Sequence, residues 1–157
     1  MDTVRFVKCY HEFAWAPLGG VLCAEIILNG TPLVDILAEY SEKYMVETGD
    51  KEAGSSYAYN YADTLYQQLT NADGQRLPRN RFNPMICTCG EAGCSSFDMT
   101  IGETEDEITW SNGQDRGLAN PKAPCHIDYS KFPVFHFEKD KYWEAVDELK
   151  LFAMPKS

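Results

Sequence analysis

Hydrophobic and polar positions change their spacing several times along the chain, and each change marks a predicted element. Residues 4–15 and 21–28 are rich in β-branched and aromatic side chains, which predicts two strands. After the turn sequence Asn29-Gly30, apolar residues recur every three or four positions. This spacing predicts a helix with one buried face. The positions on that face are Leu33, Ile36, Leu37, Tyr40 and Tyr44.

Turn-forming and capping residues set the boundaries of these first elements. The segment Pro17 to Gly20 is predicted as a turn or short loop between the two strands. Thr31 is the predicted N-cap of the helix, and Pro32 occupies the first helical position, where its missing N–H costs nothing. Gly49 is the predicted end of the helix.

The second half of the chain reads mostly as strands followed by a helix. Strands are predicted at 85–89, 96–102, 107–111 and 132–137, a short helix at 62–69, and loops at 75–83 and 112–124. A final helix begins at Glu138 or Asp140, with Tyr142, Val146, Leu149 and Phe152 as its apolar stripe. This order predicts one α+β domain over residues 1–157, an antiparallel sheet with two or three helices packed against it.

Composition agrees with a folded cytoplasmic protein. The 157 residues are 44% hydrophobic and 13% aromatic, which argues against disorder. No apolar run reaches the roughly 18 residues that a membrane-spanning helix requires. The first residues lack a basic segment followed by an apolar core, so we expect no signal peptide and a reducing compartment with free thiols.

The charge balance is strongly acidic. There are 24 acidic and 14 basic side chains, a net charge of −10, which disfavours nucleic-acid binding. The charge promotes solubility, and it would also attract a partner protein with a basic surface. Candidate contacts are clustered in one segment that is also typical of a solvated turn. They are Glu103, Glu105, Asp106 and Glu107.

Aromatic residues are the second group of candidate contacts. Tyr57, Tyr59 and Tyr61 are difficult to place in a core, so they are the aromatics we expect on a partner-binding surface. Trp110 and Trp143 lie on apolar faces and are predicted to fill the core.

Three of the six cysteines lie within residues 87–94, here called the cysteine octet. A zinc ion could be held by Cys87, Cys89 and Cys94 if a distant residue supplied the fourth ligand. The best candidates for that ligand are Cys125 and His126, and the others are His136, His11, Cys9 and Cys23. The chain has no C-x-x-C pair, which is the usual zinc spacing. A regulatory disulfide and buried thiols in a tight hairpin are the alternatives.

Catalytic motifs are incomplete. Cys125-His126 with Asp128, or Cys94 with a histidine, could form a thiolate–imidazole pair, but neighbouring residues seldom face each other. There is no metalloprotease motif and no phosphate-binding loop. We therefore expect a protein that is not an enzyme and has no cofactor other than zinc. A zinc-stabilised domain or a cysteine-dependent enzyme is the alternative hypothesis.

The chain resembles a widespread family of small bacterial proteins of uncharacterised function. The similar segments are Ile27-Leu28-Asn29-Gly30-x-x-Leu33-Val34-Asp35, the cysteine octet, Ile108-Thr109-Trp110-Ser111, Tyr129-x-x-Phe132-x-x-Phe135-x-Phe137, and the helix with Tyr142 and Ala145. Small acidic proteins of this kind resemble immunity proteins of bacterial toxin–immunity systems, including contact-dependent growth inhibition. The resemblance implies a non-enzymatic inhibitor whose partner is a cognate protein toxin, and the acidic charge of this chain fits a basic toxin. From the charge and the short apolar runs described above, we expect no nucleic-acid and no membrane partner.

Overall fold

The computed structural model describes residues 1–13, 15–46, 57–70, 81–87, 96–115, 118–122 and 126–154. Its helices are α1 (Leu33–Tyr44), α2 (Ala62–Leu69) and α3 (Lys139–Ala153), and Tyr129–Lys131 form a 3₁₀ turn. The described strands are β1 (Val4–Phe13), β2 (Ala16–Leu28), β3 (Thr31–Pro32), β4 (Met45–Val46), β5 (Tyr57–Tyr59), β6 (Arg81–Cys87), β7 (Ser96–Glu103), β8 (Glu107–Gln114), β9 (His126–Ile127) and β10 (Phe135–Glu138). The predicted α+β class is confirmed.

The strands form antiparallel ladders in separate sheets. Five strands follow the order β10-β8-β7-β6-β5, three follow β1-β2-β3, and β4 pairs with β9. Two single bridges join the β1–β2 hairpin to the five-stranded sheet, one at each edge of that sheet. Asp2 pairs with Phe137 of β10, and Cys23 of β2 pairs with Tyr61, just after β5.

The core lies between the sheets and the helices. Strand β7 alternates as its sequence predicts, with Phe97, Met99 and Ile101 buried. Trp110 of β8 is fully buried, and its Nε1 donates a hydrogen bond to the Tyr142 hydroxyl at 3.2 Å. The prediction that Trp110 fills the core is therefore confirmed, and Trp143 is likewise buried at 8% exposure.

Helix α3 closes the core along the predicted stripe. Tyr142, Val146 and Leu149 are buried at helical spacing, as are Leu33 and Leu37 of α1. Removing a leucine side chain from such a site typically costs about 2–5 kcal/mol. Among the described helices, none is long and apolar enough to cross a membrane.

The start of α1 differs from the prediction. Pro32, not Thr31, is the N-cap, because Thr31 pairs with Leu28 as the first residue of β3. Asn29 and Gly30 have φ values of 53° and 83°, the left-handed pair of a two-residue hairpin turn. After the Asn-Gly turn the chain therefore forms one further strand, β3, which pairs with β2 before α1 begins. The predicted N-cap at Thr31 did not indicate this strand.

The predicted turn from Pro17 to Gly20 is also wrong, because this segment lies inside β2. The register shifts between His11 and Phe13 of β1, and β2 accommodates extra residues opposite that shift. Gly19 and Gly20 take φ values of 78° and 73° within this bulge. The proline and glycines of this segment, which are typical of a turn, therefore lie in a bulge within a strand that continues.

Two predicted loops are shorter than expected, and one strand starts later. Residues 81–83 belong to β6, although 75–83 was predicted as loop, and residues 112–114 continue β8 into the predicted loop 112–124. Asn112 has a φ of 54° at another register shift. The strand predicted from Phe132 begins at Phe135, because a 3₁₀ turn comes immediately before Phe132.

Candidate functional site

The acidic segment Glu103–Glu107, here called the acidic turn, connects β7 to β8. The Thr104 N–H donates to the Glu107 carbonyl at 2.9 Å, and the Glu107 N–H donates to Thr104 Oγ1 at 3.1 Å. These bonds hold the turn through its backbone and one hydroxyl. Its carboxylates are therefore not needed to maintain its shape.

Two of the four carboxylates in the acidic turn have cationic or titratable neighbours. Glu103 Oε2 lies 3.2 Å from Lys139 Nζ, and Glu107 Oε1 lies 3.2 Å from His136 Nδ1. Both pairs are partly exposed, so each contributes only about 0–1 kcal/mol. Glu105 and Asp106 are exposed, and in the described part of the chain neither forms an ion pair.

Helix α3 begins beside the acidic turn, and its exposed side chains are both acidic and basic. The Lys139 N–H donates to the Asp106 carbonyl at 3.1 Å. Glu144 and Glu148 are exposed one turn apart on α3 and, together with the cationic Arg5 and Lys141, line a groove of about 380 Å³. Sequence reasoning missed this surface, although like charges four residues apart on a helix are a detectable signal because they repel each other.

Asp2 adds a carboxylate at the β1 side of that groove. Its two oxygens accept hydrogen bonds from Asn29 Nδ2 at 2.9 Å and from the His136 N–H at 2.7 Å. Partial burial opposes ionisation, but these hydrogen bonds outweigh it and lower the pKa of Asp2. Asp2 therefore remains ionised to a lower pH than an ordinary aspartate.

The first two candidate tyrosines have internal roles for their hydroxyls. The Tyr57 hydroxyl donates to the buried Asp115 carboxylate, and the Tyr59 hydroxyl accepts from the Val34 N–H at 3.1 Å. Burial, reinforced by the Asp115 carboxylate, raises the pKa of Tyr57 above its usual range. Burial raises the pKa of Tyr59 to about 12.

Tyr61 is placed differently from the other two tyrosines. Its ring packs edge-on against Phe13 with centroids 5.7 Å apart, and it borders a surface groove at the end of the β1–β2 hairpin. The acidic turn and the tyrosines therefore lie on different elements. A role for Tyr57, Tyr59 and Tyr61 in partner binding stays a prediction.

The cysteine octet is described only at its first residue. Cys87 ends β6 opposite Tyr57, while Cys89, Cys94 and Cys125 lie outside the described residues. His126 lies in β9 at the edge of a cavity of about 820 Å³. No three metal-ligating side chains cluster among the described residues, so zinc binding through the octet stays a prediction.

The other proposed zinc ligands lie on different parts of the fold. Cys9 and Cys23 are free thiols paired directly across β1 and β2. Burial raises the pKa of Cys23 to about 12, so its thiolate is scarce at neutral pH. His136 contacts Glu107 on the acidic turn, and His11 packs on Phe13.

The cavity beside His126 has both polar and apolar walls, and two of its charged side chains are paired. Arg81 and Asp98 line it and form an ion pair, with 2.5 Å between nitrogen and oxygen. Asp98 also accepts a hydrogen bond from Asn83 Nδ2, which lies at an irregularity of β6. The pair therefore ties β6 to β7 at the cavity wall.

Comparisons with known proteins identify no relative from which a function could be inferred. No protein family, no curated protein and no solved structure matches this chain. Function must therefore be argued from the surfaces described above.

Proposed function

We propose that this protein is a non-enzymatic, cytoplasmic immunity protein that neutralises a cognate bacterial toxin, of the kind used in contact-dependent growth inhibition, by covering the toxin's active surface. The observation that carries the proposal is the acidic turn, where Glu105 and Asp106 are exposed and have no ion-pair partner among the described residues. The net charge of −10 adds long-range attraction for a basic partner.

The physical role of this surface is steering and orientation. Exposed ion pairs contribute about 0.2–1 kcal/mol each, so two carboxylates cannot supply the whole affinity. Complementary charge instead raises the association rate, by as much as 10–1,000-fold at low ionic strength. Because hydrogen bonds already hold the backbone of the acidic turn, binding through Glu105 and Asp106 orders their side chains but not the turn itself.

The test is co-expression with the toxin encoded beside this gene, followed by binding kinetics. The double variant Glu105→Lys/Asp106→Lys should slow association by about tenfold or more at low salt and weaken protection of the cell. The matched control, Glu39→Lys/Glu42→Lys, makes the same charge change at exposed positions of α1. It should retain most of the association rate.

Two results would contradict the proposal. The first is the absence of both protection and a complex with the neighbouring toxin. The second is an equal loss of association rate in the α1 control, since that would mean that total charge matters and the acidic turn does not.

A further inference from the structure

A second surface lies at the other end of α3, away from the acidic turn. Here the β1–β2 hairpin and α2 enclose a groove of about 580 Å³. Its walls include Trp15, Val21, Leu22, Tyr61, Asp63 and Ala153. Ala153 is the last residue of α3, whereas the acidic turn contacts its first residue, so about 20 Å of helix separates the two surfaces.

Trp15 lies at the edge of this groove with one face of its ring packed on the core. Its ring stacks on Phe13 with centroids 5.5 Å apart and an interplanar angle of 7°. Phe13 is buried and packs edge-on against both Tyr61 and His11. Trp15 is nevertheless 57% exposed, so it could cover a partner with little loss of its own freedom.

The apolar surface extends beyond the groove. Tyr10, 59% exposed, lies opposite Leu22 across the ladder, and Met154 follows Ala153 at 42% exposure. Leu18, in the bulge of β2, is 94% exposed. Exposed apolar side chains clustered around a groove are typical of a protein-binding site.

One charged side chain lines the described groove. Asp63 is exposed, and its carboxylate accepts a hydrogen bond from the adjacent Thr64 N–H at 2.7 Å. We propose that the groove binds an extended segment of a partner protein in which an apolar side chain is next to lysine or arginine. The apolar side chain packs on Trp15, and the cation pairs with Asp63.

This inference deepens the proposed function and rests on it only for the partner's identity, since a basic toxin would supply such a segment. The groove itself can be tested without a toxin. A suitable probe is the peptide Gly-Leu-Lys-Leu-Lys-Gly-amide with fluorescein on its N-terminal amine, so that both lysines stay charged, and with fluorescence anisotropy as the measurement. Two control peptides replace both leucines by serine or both lysines by glutamate.

The expected result is saturable binding of the first peptide, with a dissociation constant in the millimolar range or tighter, and no saturable binding of either control peptide. Trp15→Ser should weaken binding by about tenfold or more, as expected for a central aromatic anchor. Asp63→Asn should weaken it by about threefold and reduce its dependence on salt. The control Val134→Ser changes another exposed apolar side chain outside the groove and should bind normally.

Tryptophan fluorescence gives an independent measurement. Trp110 and Trp143 are buried, so acrylamide quenching of the native protein reports mainly on Trp15. The unlabelled peptide should protect Trp15 from acrylamide. Protection that instead rises with the concentration of the protein alone would identify a second copy as the occupant and overturn the proposal.

Other outcomes would also overturn it: no saturable binding, equal binding of a control peptide, or equal weakening by Val134→Ser and Trp15→Ser. The two proposals fail separately. Peptide binding without protection against the toxin rejects only the proposed function, whereas protection without peptide binding rejects only the groove. The acidic-turn double variant should bind the peptide as the native protein does.

Discussion

The bulge in β2 gives a sharp test of how closely the hairpin strands approach each other. Gly19 and Gly20 both have positive φ, at 78° and 73°, but their surroundings differ. A Cβ at Gly20 would lie 2.8 Å from the His11 carbonyl oxygen and 2.9 Å from its carbon. A Cβ at Gly19 would meet nothing within 4 Å. Gly19→Ala is therefore the matched control for Gly20→Ala.

The expected magnitudes follow from two effects. A left-handed conformation costs about 1–2 kcal/mol for alanine, and reduced freedom of the unfolded chain returns about 0.4–1 kcal/mol. Gly19→Ala should therefore lower the free energy of unfolding by about 1 kcal/mol. Gly20→Ala adds a clash with main-chain atoms of the partner strand, which typically costs a further 1–3 kcal/mol or so. Its total loss should be about 2–4 kcal/mol.

Urea unfolding followed by circular dichroism measures both variants. Each should shift the midpoint without changing the slope that reports exposed surface. Acrylamide quenching of Trp15 adds a local measurement, because parting β1 from β2 at Gly20 should alter the adjacent hairpin end. Equal losses for the two variants would refute the close approach at His11. A larger loss of unfolding free energy in Gly19→Ala than in Gly20→Ala would mean that Gly19, and not Gly20, is the crowded position.

Three further predictions concern buried polar groups and metal. Tyr57→Phe should lower the free energy of unfolding by about 1–3 kcal/mol, because the buried Asp115 carboxylate loses a donor; an unchanged urea midpoint would contradict this. Asp2→Asn should cost about 0.5–1.5 kcal/mol at neutral pH. The folded-state pKa of Asp2 lies below its ordinary 3.8, so this stability is present above pH 3.8 and is lost as the pH falls through the folded-state pKa. Unfolding measured between pH 2 and 7 should therefore show the stability curves of the variant and the native protein converging in acid. A difference that stays constant with pH would refute this linkage. If the cysteine octet binds zinc, protein purified without chelators should contain equimolar zinc, and Cys89→Ser should lose both the zinc and part of its stability. If mass spectrometry finds no metal, the cysteines of the octet are free thiols.

Regular elements could be predicted because their periods persist over many residues. The stripe of Tyr142, Val146 and Leu149 on α3 requires helical spacing, and the alternation of Phe97 and Met99 on β7 requires a strand. In both cases burial of one face decides the conformation. Local sequence is then sufficient to identify the element.

The bulges could not be predicted, because a bulge and a turn call for the same residues. Pro17 to Gly20 and Asn112 to Gln114 both contain residues suited to positive φ, which either structure needs. What distinguishes a bulge is a partner strand that continues alongside it. That partner is invisible to a local pattern.

Site residues were predictable by type but not by environment. The acidic turn lies between two strands, as its charge and its position in the sequence suggested. The hydroxyl of Tyr57 is bound by Asp115, 58 residues away, and no spacing rule connects the two. The Trp15 groove also combines the β1–β2 turn, β2, α2 and α3, so its existence depends on tertiary packing.

The bridge between Asp2 and Phe137 has a consequence for the order of events during synthesis. It joins positions that are far apart in sequence, and the Asp2 side chain also accepts from the His136 N–H, 134 residues away. Contacts of such long range form slowly and cannot form until residue 137 has emerged from the ribosome. At about 5–20 residues per second, synthesis of the chain from Asp2 to Phe137 alone delays this closure by about 7–27 seconds. Until then, the β1–β2 hairpin and the five-stranded sheet lack the bridge that joins them at this edge.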